Sequence, residues 1–314
     1  MDPLQKVRIG KTSLRVTRLG LGCSGLARSN SDEEAASTVR TVFKQGINYL
    51  DTAPLYGRGL SEKRLGHVLS NVKRSEYIIS TKVGRMVKDI EVSSSTEVSF
   101  DYSREGVLKS IESSLGRLGI ESVDILYIHD PDNYYKQAIE QAYPTLDELR
   151  SNGVIKAVGA GMNQWEMELR FAKEGNFDCF LLAGRYTLLE QTALREFLPY
   201  CQKNNISVII GGPYNSGILA SQKQDGRYNY REPPKDIVQK TRKIKTVCDE
   251  FNVPMKAAAL QFVLAHPAVA SVIPGTKSPE HQEENILMMK HKIPHEFWRK
   301  LKDDKLIDPE APTP

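Results

Sequence analysis

Cysteine is scarce in this 314-residue chain, and its four cysteines, Cys23, Cys179, Cys201 and Cys248, stand far apart. No pair has the short spacing of a zinc motif, and the sequence contains neither an HExxH pair nor a Cys/His cluster. The cysteines lie mostly among apolar neighbours, which is typical of reduced core thiols. We therefore expect no metal site, no disulfide framework and a cytoplasmic location.

Long apolar runs and a strong charge imbalance are also missing. No stretch approaches 18 consecutive apolar residues, and the opening MDPLQKVRIG lacks the basic and apolar regions of an export signal. The 43 basic residues are interspersed with 39 acidic ones, which leaves a formal net charge of +4. These absences argue against a membrane or a nucleic acid as the partner.

Strand-like apolar runs alternate with helical patterns along the chain. The strand-like runs lie at 18–22, 47–51, 77–84, 123–130, 155–161, 179–184, 207–212 and 270–275. Helical patterns begin near Asp32, Ser61, Ser103, Lys136, Asn163, Ala193, Lys235 and Ser278, and further helical segments lie at 255–265 and 295–304. Eight strand–helix units in about 300 residues predict an α/β protein with a parallel (β/α)8 fold, the TIM barrel.

The connections predict how the barrel is organised. No Pro/Ser-rich linker divides the sequence, so we expect a single domain over residues 1–314. Two loops, 86–102 and 213–234, are long for such connections and follow the C-terminal ends of strands. Barrel enzymes build their active sites at that end, so we expect both loops at the rim of the site.

A dinucleotide-binding fingerprint suggests an alternative fold. GLGCSG at 20–25 matches GxGxxG, and Asp51 at the end of a later strand resembles the ribose-binding acid of that motif. In the motif the glycine turn runs directly into a helix, whereas LARSNS separates Gly25 from the helix at Asp32. The barrel is therefore the favoured interpretation.

Four side chains capable of acid–base chemistry lie at or just beyond predicted strand ends. Asp51 and Tyr56 follow the second strand, Lys82 ends the third and His129 ends the fourth. Each has a structural alternative, such as a turn cap or a core histidine. Because barrel strands end at one rim, we expect the four to face one pocket, where Asp51 pairs with buried Lys82. Lys82 should then lower the pKa of Tyr56 from about 10 towards neutrality.

Longer motifs around these residues resemble the aldo-keto reductase superfamily. The motifs are GINYLDTAPLYGRGLSEKRLG, STKVGR and YIHD, followed by GMNQW at 161–165 and IPGTKSPEHQEEN at 273–285. The resemblance covers nearly the whole chain and implies a catalytic tetrad of Asp51, Tyr56, Lys82 and His129. GMNQWEM, FLLAGRYTLLEQ and GGPYNSGILA are most similar to the D-threo-aldose 1-dehydrogenase (L-fucose dehydrogenase) branch, with pyridoxal and L-galactose dehydrogenases as similar relatives.

The resemblance also implies a nicotinamide cofactor that lies across the barrel mouth. The implied cofactor-binding residues are Gly22, Asp51, Met162, Asn163, Gly212, Tyr214, Gly275, Thr276, Lys277, Ser278, Gln282, Glu284 and Asn285. Three positions depart from the family pattern. Met162 replaces a serine, Ala183 replaces a glutamine, and the tyrosine that stacks on the nicotinamide is replaced near Gly212, which leaves Tyr214 as the alternative.

The cofactor segment bears on the choice of dinucleotide. Relatives that use NADP often carry Lys and Arg where this chain has Gly275 and His281. Without those charges the 2′-phosphate of NADP loses its compensation, so NAD is the predicted cofactor. Lys277 lies two residues further on and leaves NADP possible.

The implied activity is oxidation of a free aldose at C1 to a lactone. Tyr56 and His129 would contact the substrate, and Arg85, Trp165 and Tyr228 are further candidates for the sugar pocket. The alternatives are an NADPH-dependent reductase of aldehydes or pyridoxal with the same tetrad, and a nucleotide-sensing binding module. We expect a monomer or weak homo-oligomer acting on a small-molecule sugar or aldehyde.

Overall fold

The computed structural model describes residues 1–87, 98–221 and 226–314. Its strands are β1 Lys6–Arg8, β2 Arg15–Thr17, β3 Leu21–Gly22, β4 Tyr49–Asp51, β5 Ile78–Val83, β6 Arg85–Met86, β7 Ser99–Phe100, β8 Ile125–His129, β9 Ala157–Met162, β10 Cys179–Ala183, β11 Ser207–Gly211 and β12 Val269–Ile273. Its helices are α1 Asp32–Lys44, α2 Leu60–Leu69, α3 Arg104–Leu118, α4 Tyr135–Gln137, α5 Tyr143–Ser151, α6 Trp165–Glu174, α7 Phe197–Lys203, α8 Lys235–Glu250, α9 Met255–Leu264, α10 Pro279–Lys290 and α11 His295–Asp303. A π-helical turn, Ala138–Ala142, joins α4 to α5.

Eight of these strands form one parallel sheet in the order β12-β11-β10-β9-β8-β5-β4-β3. The two edge strands meet through parallel bridges that pair Leu19 with Val272 and Gly22 with Gly275. The Gly20 amide donates a hydrogen bond to the Val272 carbonyl at 3.0 Å across this seam. The sheet thus closes into a barrel surrounded by helices, which confirms the predicted fold.

Local signals explain most of the elements. Strands β8, β9 and β11 are buried at every position, as expected for parallel strands covered by helices on one side and by the barrel interior on the other. Helix α1 begins where predicted because Ser31 accepts a hydrogen bond from the Glu34 amide, and acidic residues fill its first turn.

Three helix starts differ from the sequence expectation, one of them that of α6, which begins at Trp165 and not near Asn163. Helix α2 begins at Leu60 after Gly59, whose φ of 85° is a left-handed conformation that suits glycine. Ser61 lies inside this helix, where its buried hydroxyl donates to the Cys23 carbonyl at 2.7 Å. Near Ala193 the chain forms only a 3-10 turn, Thr192–Leu194, and α7 begins later, at Phe197.

A short N-terminal hairpin, β1 paired with β2, was not predicted from the sequence. Its connecting residues Ile9 and Leu14, with Val16 of β2, pack into the barrel interior beside Tyr49 and Ile125. The Gly10 amide also donates to the Ser207 hydroxyl at the start of β11, at 2.8 Å. The hairpin therefore covers the N-terminal end of the barrel, and the large cavity lies at the opposite end.

The glycines of GLGCSG serve packing within the barrel. A Cβ on Gly25 would lie 2.1 Å from the Thr276 carbonyl oxygen, and one on Gly22 would lie 2.7 Å from that of Ile273. A 3-10 turn, Cys23–Arg28, follows β3 in place of the helix that the dinucleotide fingerprint requires. The alternative fold is therefore excluded.

The two predicted rim loops are described in part. In the first, β6 and β7 form an antiparallel hairpin, and residues 88–97 lie outside the described residues. In the second, residues 222–225 lie outside them. All four cysteines are buried and free. Within the described ranges, no helix has the length and apolar character needed to cross a membrane.

A carboxyl group lies buried in α6, and no described residue forms a hydrogen bond with it. The side chain of Glu168 is 0% exposed, and neither of its oxygens forms a hydrogen bond with a described residue. Burial raises the pKa of Glu168 well above its usual value, and the nearby backbone of Met162 only partly opposes this effect. The folded protein therefore holds Glu168 as the neutral acid in a pH range where the unfolded chain ionises it.

This difference predicts a pH-dependent stability. Above the unfolded pKa of about 4.3 the unfolded chain releases the Glu168 proton while the folded protein retains it, so the free energy of unfolding falls as pH rises. Glu168→Gln should remove this contribution, which amounts to at most about 1.4 kcal/mol per pH unit. Urea unfolding at about pH 5 and about pH 8 measures the slope. Glu166→Gln, at an exposed position of the same helix, is the matched control and should leave it unchanged. Equal slopes for wild type and Glu168→Gln would contradict the prediction.

Candidate active site

A cavity of about 760 Å³ opens at the C-terminal end of the barrel. Its lining includes the residues that follow β4, β5, β8, β9, β11 and β12, as expected for a site built on a barrel rim. The four tetrad residues all line the cavity: Asp51, Tyr56, Lys82 and His129. The structure therefore brings together the four groups that the motifs predicted.

Asp51 and Lys82 form a buried ion pair on adjacent strands. The Lys82 ammonium donates to Asp51 Oδ2 and to the Thr52 carbonyl, both at 2.8 Å, and both charged side chains are 2% exposed. The Ser80 hydroxyl donates to Asp51 Oδ1 at 2.7 Å. Burial alone would lower the pKa of Lys82, but Asp51 and Tyr56 raise it above its usual value. The ammonium is therefore charged at neutral pH.

Tyr56 lies on the loop between β4 and α2, close to this pair. The Lys82 Nζ atom is 4.7 Å from the centroid of the Tyr56 ring, and the rings of Tyr56 and His129 meet edge to face at 6.2 Å. The loop is held by its own backbone, since the Tyr56 amide donates to Ala53 and the Gly59 amide donates to Pro54. Tyr56 is therefore held within reach of both Lys82 and His129.

The expected lowering of the tyrosine pKa was wrong. Burial raises the pKa of Tyr56 to about 12, and the charge of Lys82 opposes this shift without overcoming it. The reason is that Asp51 pairs with Lys82, so the pair as a whole presents little net positive charge to the phenol. In the pocket as it stands, Tyr56 is the neutral phenol at neutral pH.

His129 is neutral as well. Its side chain is buried, and burial together with the charges of Lys82 and Arg85 lowers the pKa of its imidazole well below the usual value. The Tyr102 hydroxyl donates to the carbonyls of His129 and Asp130 at 2.6 and 2.9 Å, which fixes this corner of the chain. The Nδ1 atom of His129 has no hydrogen-bond partner among the described residues. A neutral imidazole in this position can form a hydrogen bond with a substrate oxygen.

A charged pair that the sequence analysis did not identify lies next to His129. Arg85 and Asp130 form an ion pair on the cavity surface, and Asp130 Oδ2 lies 3.6 Å from His129 Nε2. Arg85 was a predicted substrate residue, whereas Asp130 follows His129 in the YIHD motif and was not singled out. This pair gives the pocket polar groups close to the tetrad.

Two of the predicted substrate residues lie away from the cavity. Trp165 packs against the hydrophobic core, and the Tyr228 hydroxyl donates to Glu190 at 2.7 Å. Tyr230 lines the cavity instead, at the tip of a hairpin turn in which Tyr228 pairs with Arg231. Spacing along the sequence did not predict that Tyr230 lines the cavity, because the backbone conformation of the turn determines which side chain faces it.

The implied cofactor residues divide into two groups. Those that line the cavity are Gly22, Asp51, Met162, Asn163, Gly212, Tyr214, Gly275, Glu284 and Asn285. Those outside its lining are Thr276, Lys277, Ser278 and Gln282. Residues of the second group hold residues of the first in place. The Thr276 hydroxyl accepts a hydrogen bond from the side-chain amide of Asn285 at 3.3 Å, and Ser278 caps α10.

The cavity fits the nicotinamide dinucleotide that the resemblance implies. It extends from the tetrad to α10, and glycines at 161, 212 and 275 keep side chains out of its lining. At the tetrad end the side-chain amide of Asn163 donates to the Ala183 carbonyl at 2.7 Å. At the α10 end the Tyr214 hydroxyl donates to Asn285 Oδ1 at 2.7 Å. Among the described residues, no group of three or more His, Cys, Asp or Glu side chains is placed to hold a metal ion.

Comparison with known proteins agrees with this geometry. The sequence model of a protein family, described as the Aldo/keto reductase family, matches residues 18–304. The chain is 36% identical to pyridoxal 4-dehydrogenase of Microbacterium luteolum, over 96% of this chain and 98% of that protein. It is also 36% identical to D-threo-aldose 1-dehydrogenase of a Pseudomonas species, over 96% of each protein. The holo form of an aldo-keto reductase from Bacillus halodurans superposes with a TM-score of 0.80 at 26% identity, over 97% of both chains.

These relatives confirm the branch that the sequence motifs resemble. The family match spans the barrel and includes all four tetrad positions, and the family uses nicotinamide cofactors. The chain therefore belongs to the aldo/keto reductase family and is an NAD(P)-dependent oxidoreductase.

Proposed function

We propose that this enzyme oxidises C1 of a free aldose, of the L-fucose or D-threo-aldose type, to the lactone with NAD. The observation that carries the proposal is the Arg85–Asp130 ion pair on the cavity surface beside neutral His129. Charged groups of this kind form hydrogen bonds with sugar hydroxyls, and a substrate without hydroxyls covers the ion pair without forming such bonds. The pocket chemistry therefore favours a polyhydroxylated substrate.

The tetrad geometry supports a division of roles for oxidation. Tyr56, as the phenolate, takes the proton of the anomeric hydroxyl, while His129 donates a hydrogen bond that positions the same oxygen. Lys82 opposes the rise of the Tyr56 pKa, and Asp51 keeps Lys82 charged and in place. The bound nicotinamide supplies the hydride acceptor. Because the phenolate is needed and the pKa of Tyr56 is about 12, the oxidation rate should rise with pH.

A substrate panel tests the proposal. With NAD, we expect kcat/KM for the best aldose to exceed that for simple aliphatic and aromatic alcohols by about 100-fold, because only the sugar has further hydroxyls that form hydrogen bonds with the Arg85–Asp130 pair. Pyridoxal belongs in the panel, since a relative of equal identity is a pyridoxal 4-dehydrogenase. The reduction of aldehydes with NADPH is measured for comparison. A clearly higher kcat/KM for aldehyde reduction than for aldose oxidation would reject the aldose proposal.

A substitution in the Arg85–Asp130 ion pair tests whether this pair determines the substrate preference. Arg85→Met should change the relative rates for aldoses that differ in hydroxyl configuration, because it removes one of the groups that distinguish them. Arg299→Met removes an equal charge at an exposed position of α11 that does not line the cavity, and it serves as the control. Identical selectivity in wild type and Arg85→Met would remove the ion pair from the substrate site.

Cofactor choice gives a separate prediction. Gly275 and His281 both line the cavity and bring no permanent positive charge to it, so we expect kcat/KM to favour NAD over NADP. Gly275→Lys combined with His281→Arg should shift the ratio towards NADP by about tenfold or more, equal to about 1.4 kcal/mol. The measurement is kcat/KM for both cofactors at one sugar concentration. If wild type prefers NADP tenfold, another cation must bind the 2′-phosphate, and Lys277→Met tests the nearest one in sequence.

A further inference from the structure

We propose that Arg28 binds the diphosphate of the nicotinamide dinucleotide. The inference rests on the use of a dinucleotide cofactor, but not on the identity of the substrate. Arg28 matched no motif in the sequence, and it lies 247 positions before Gly275. Only the closure of the barrel brings the two residues together.

Arg28 lies where a longer side chain at position 275 would begin. It ends the 3-10 turn after β3 and lines the cavity. A Cβ built on Gly275 would lie 4.0 Å from Arg28 Nη2 and 3.2 Å from the Ser24 hydroxyl. A guanidinium and a hydroxyl from one turn therefore lie beside the space that a lysine at position 275 would enter.

Arg28 is also free to bind an anion. Three other cations of the cavity have carboxylate partners: Lys82 pairs with Asp51, Arg85 with Asp130 and Lys256 with Glu284. Arg227 also lines the cavity, without an ion pair among the described residues, but it lies on the loop after β11 and not beside Gly275. For Arg28, no ion pair or hydrogen bond joins the guanidinium to a carboxylate in the described part of the chain. An unpaired guanidinium presents a planar set of donors that matches two phosphate oxygens.

The turn that carries Arg28 is held against the cofactor segment. The Thr276 amide donates to the Gly22 carbonyl at 3.3 Å, and the Ser29 hydroxyl donates to the Lys277 carbonyl at 2.6 Å. On the other side, Arg64 donates to the Leu26 carbonyl at 2.6 Å. These contacts fix the backbone of the turn beside the cavity region next to Gly275.

The position of Arg28 favours the diphosphate over the 2′-phosphate. The charge of Arg28 and a hydrogen bond from Asn163 both oppose the rise that burial causes in the pKa of Tyr230, so both residues lie near its hydroxyl. Asn163 marks the tetrad end of the cavity. Arg28 also lies beside Gly275, which leads to α10 at the other end. It therefore lies between the two ends, where the diphosphate that joins the two nucleosides must pass.

Calorimetric titration of the purified enzyme tests the proposal without measuring turnover. For Arg28→Met, we expect the Kd values of NAD, NADP and ADP to rise by a similar factor of about tenfold or more, equal to about 1.4 kcal/mol. Adenosine and 2′-AMP lack the diphosphate, so their affinities should not change. Arg28→Lys keeps the charge and should recover part of the loss, and Arg299→Met on α11 should bind all ligands as wild type does.

Gly275→Lys in the Arg28→Met background separates the diphosphate from the 2′-phosphate. The added ammonium should raise the affinity for NADP and 2′-AMP, which carry the 2′-phosphate, and should leave the loss of affinity for NAD and ADP in place. Unchanged affinities in Arg28→Met would overturn the proposal, and so would a loss confined to NADP and 2′-AMP, which would assign Arg28 to the 2′-phosphate. If wild type binds NAD but oxidises no aldose, the proposed substrate fails while the role of Arg28 still stands on its own result.

Discussion

Tyr56→Phe is expected to lower turnover by about 100-fold or more while leaving dinucleotide affinity nearly unchanged. Tyr56 lies in the cavity with its ring 4.7 Å from the Lys82 ammonium and edge to face with His129. Removing its hydroxyl removes the proposed proton acceptor, and general acid–base groups contribute about 10²–10⁴-fold to rates. The ring and its packing remain, so the pocket should keep its shape.

Two measurements separate this role from a structural one. Single-turnover kinetics should show the loss in the hydride-transfer step, and calorimetry with NAD should give a Kd within about twofold of wild type. The hydroxyl is not needed to hold the loop, because Ala53 and Pro54 accept backbone hydrogen bonds from Tyr56 and Gly59. A variant that turns over within a few-fold of wild type would rule out Tyr56 as the proton acceptor.

Lys82→Met is expected to lose activity and to shift the pH dependence of what remains. Burial already raises the pKa of Tyr56 to about 12, and Lys82 is the main charge that opposes this rise. Without the ammonium the pKa of Tyr56 rises further, so the phenolate fraction at any given pH falls. The residual oxidation rate should therefore keep rising to a higher pH than in wild type, and a pH profile of kcat measures this. An unchanged profile would contradict the coupling of Lys82 to Tyr56.

The same substitution leaves Asp51 buried without its partner, so stability needs its own control. Removing one member of a buried ion pair costs about 3–5 kcal/mol in typical cases. The double variant Asp51→Asn with Lys82→Met removes both charges and should recover part of that stability, as measured by urea unfolding. It should not recover activity. If the double variant regains turnover with stability, Lys82 acts only by holding the fold.

Much of the tetrad was predictable from the sequence because strand ends carry strong local signals. Asp51 and Lys82 end apolar runs that become the adjacent strands β4 and β5, so pairing of the opposite charges follows from the parallel sheet. His129 ends β8 in the same way. A charged residue in an apolar strand requires a partner, and this physical requirement is visible in the sequence.

The pKa of Tyr56 was not predictable in the same way. Its value depends on how completely the hydroxyl is removed from water and on how far Asp51 neutralises Lys82, and both are properties of the assembled pocket. The sequence placed a cation near a phenol but contained no measure of desolvation. Burial then proved to be the larger effect.

Residue order along the chain determined the barrel, the tetrad and the family, because strand periodicity, charge placement and motif spacing are local properties. Tertiary structure alone decided which loop residues reach the cavity. The turn at Tyr228–Arg231 directs Tyr230 to the pocket and Tyr228 to Glu190, and the seam between β3 and β12 brings Arg28 beside Gly275. Such contacts depend on the path of the backbone in three dimensions, which cannot be read from the residues adjacent in sequence.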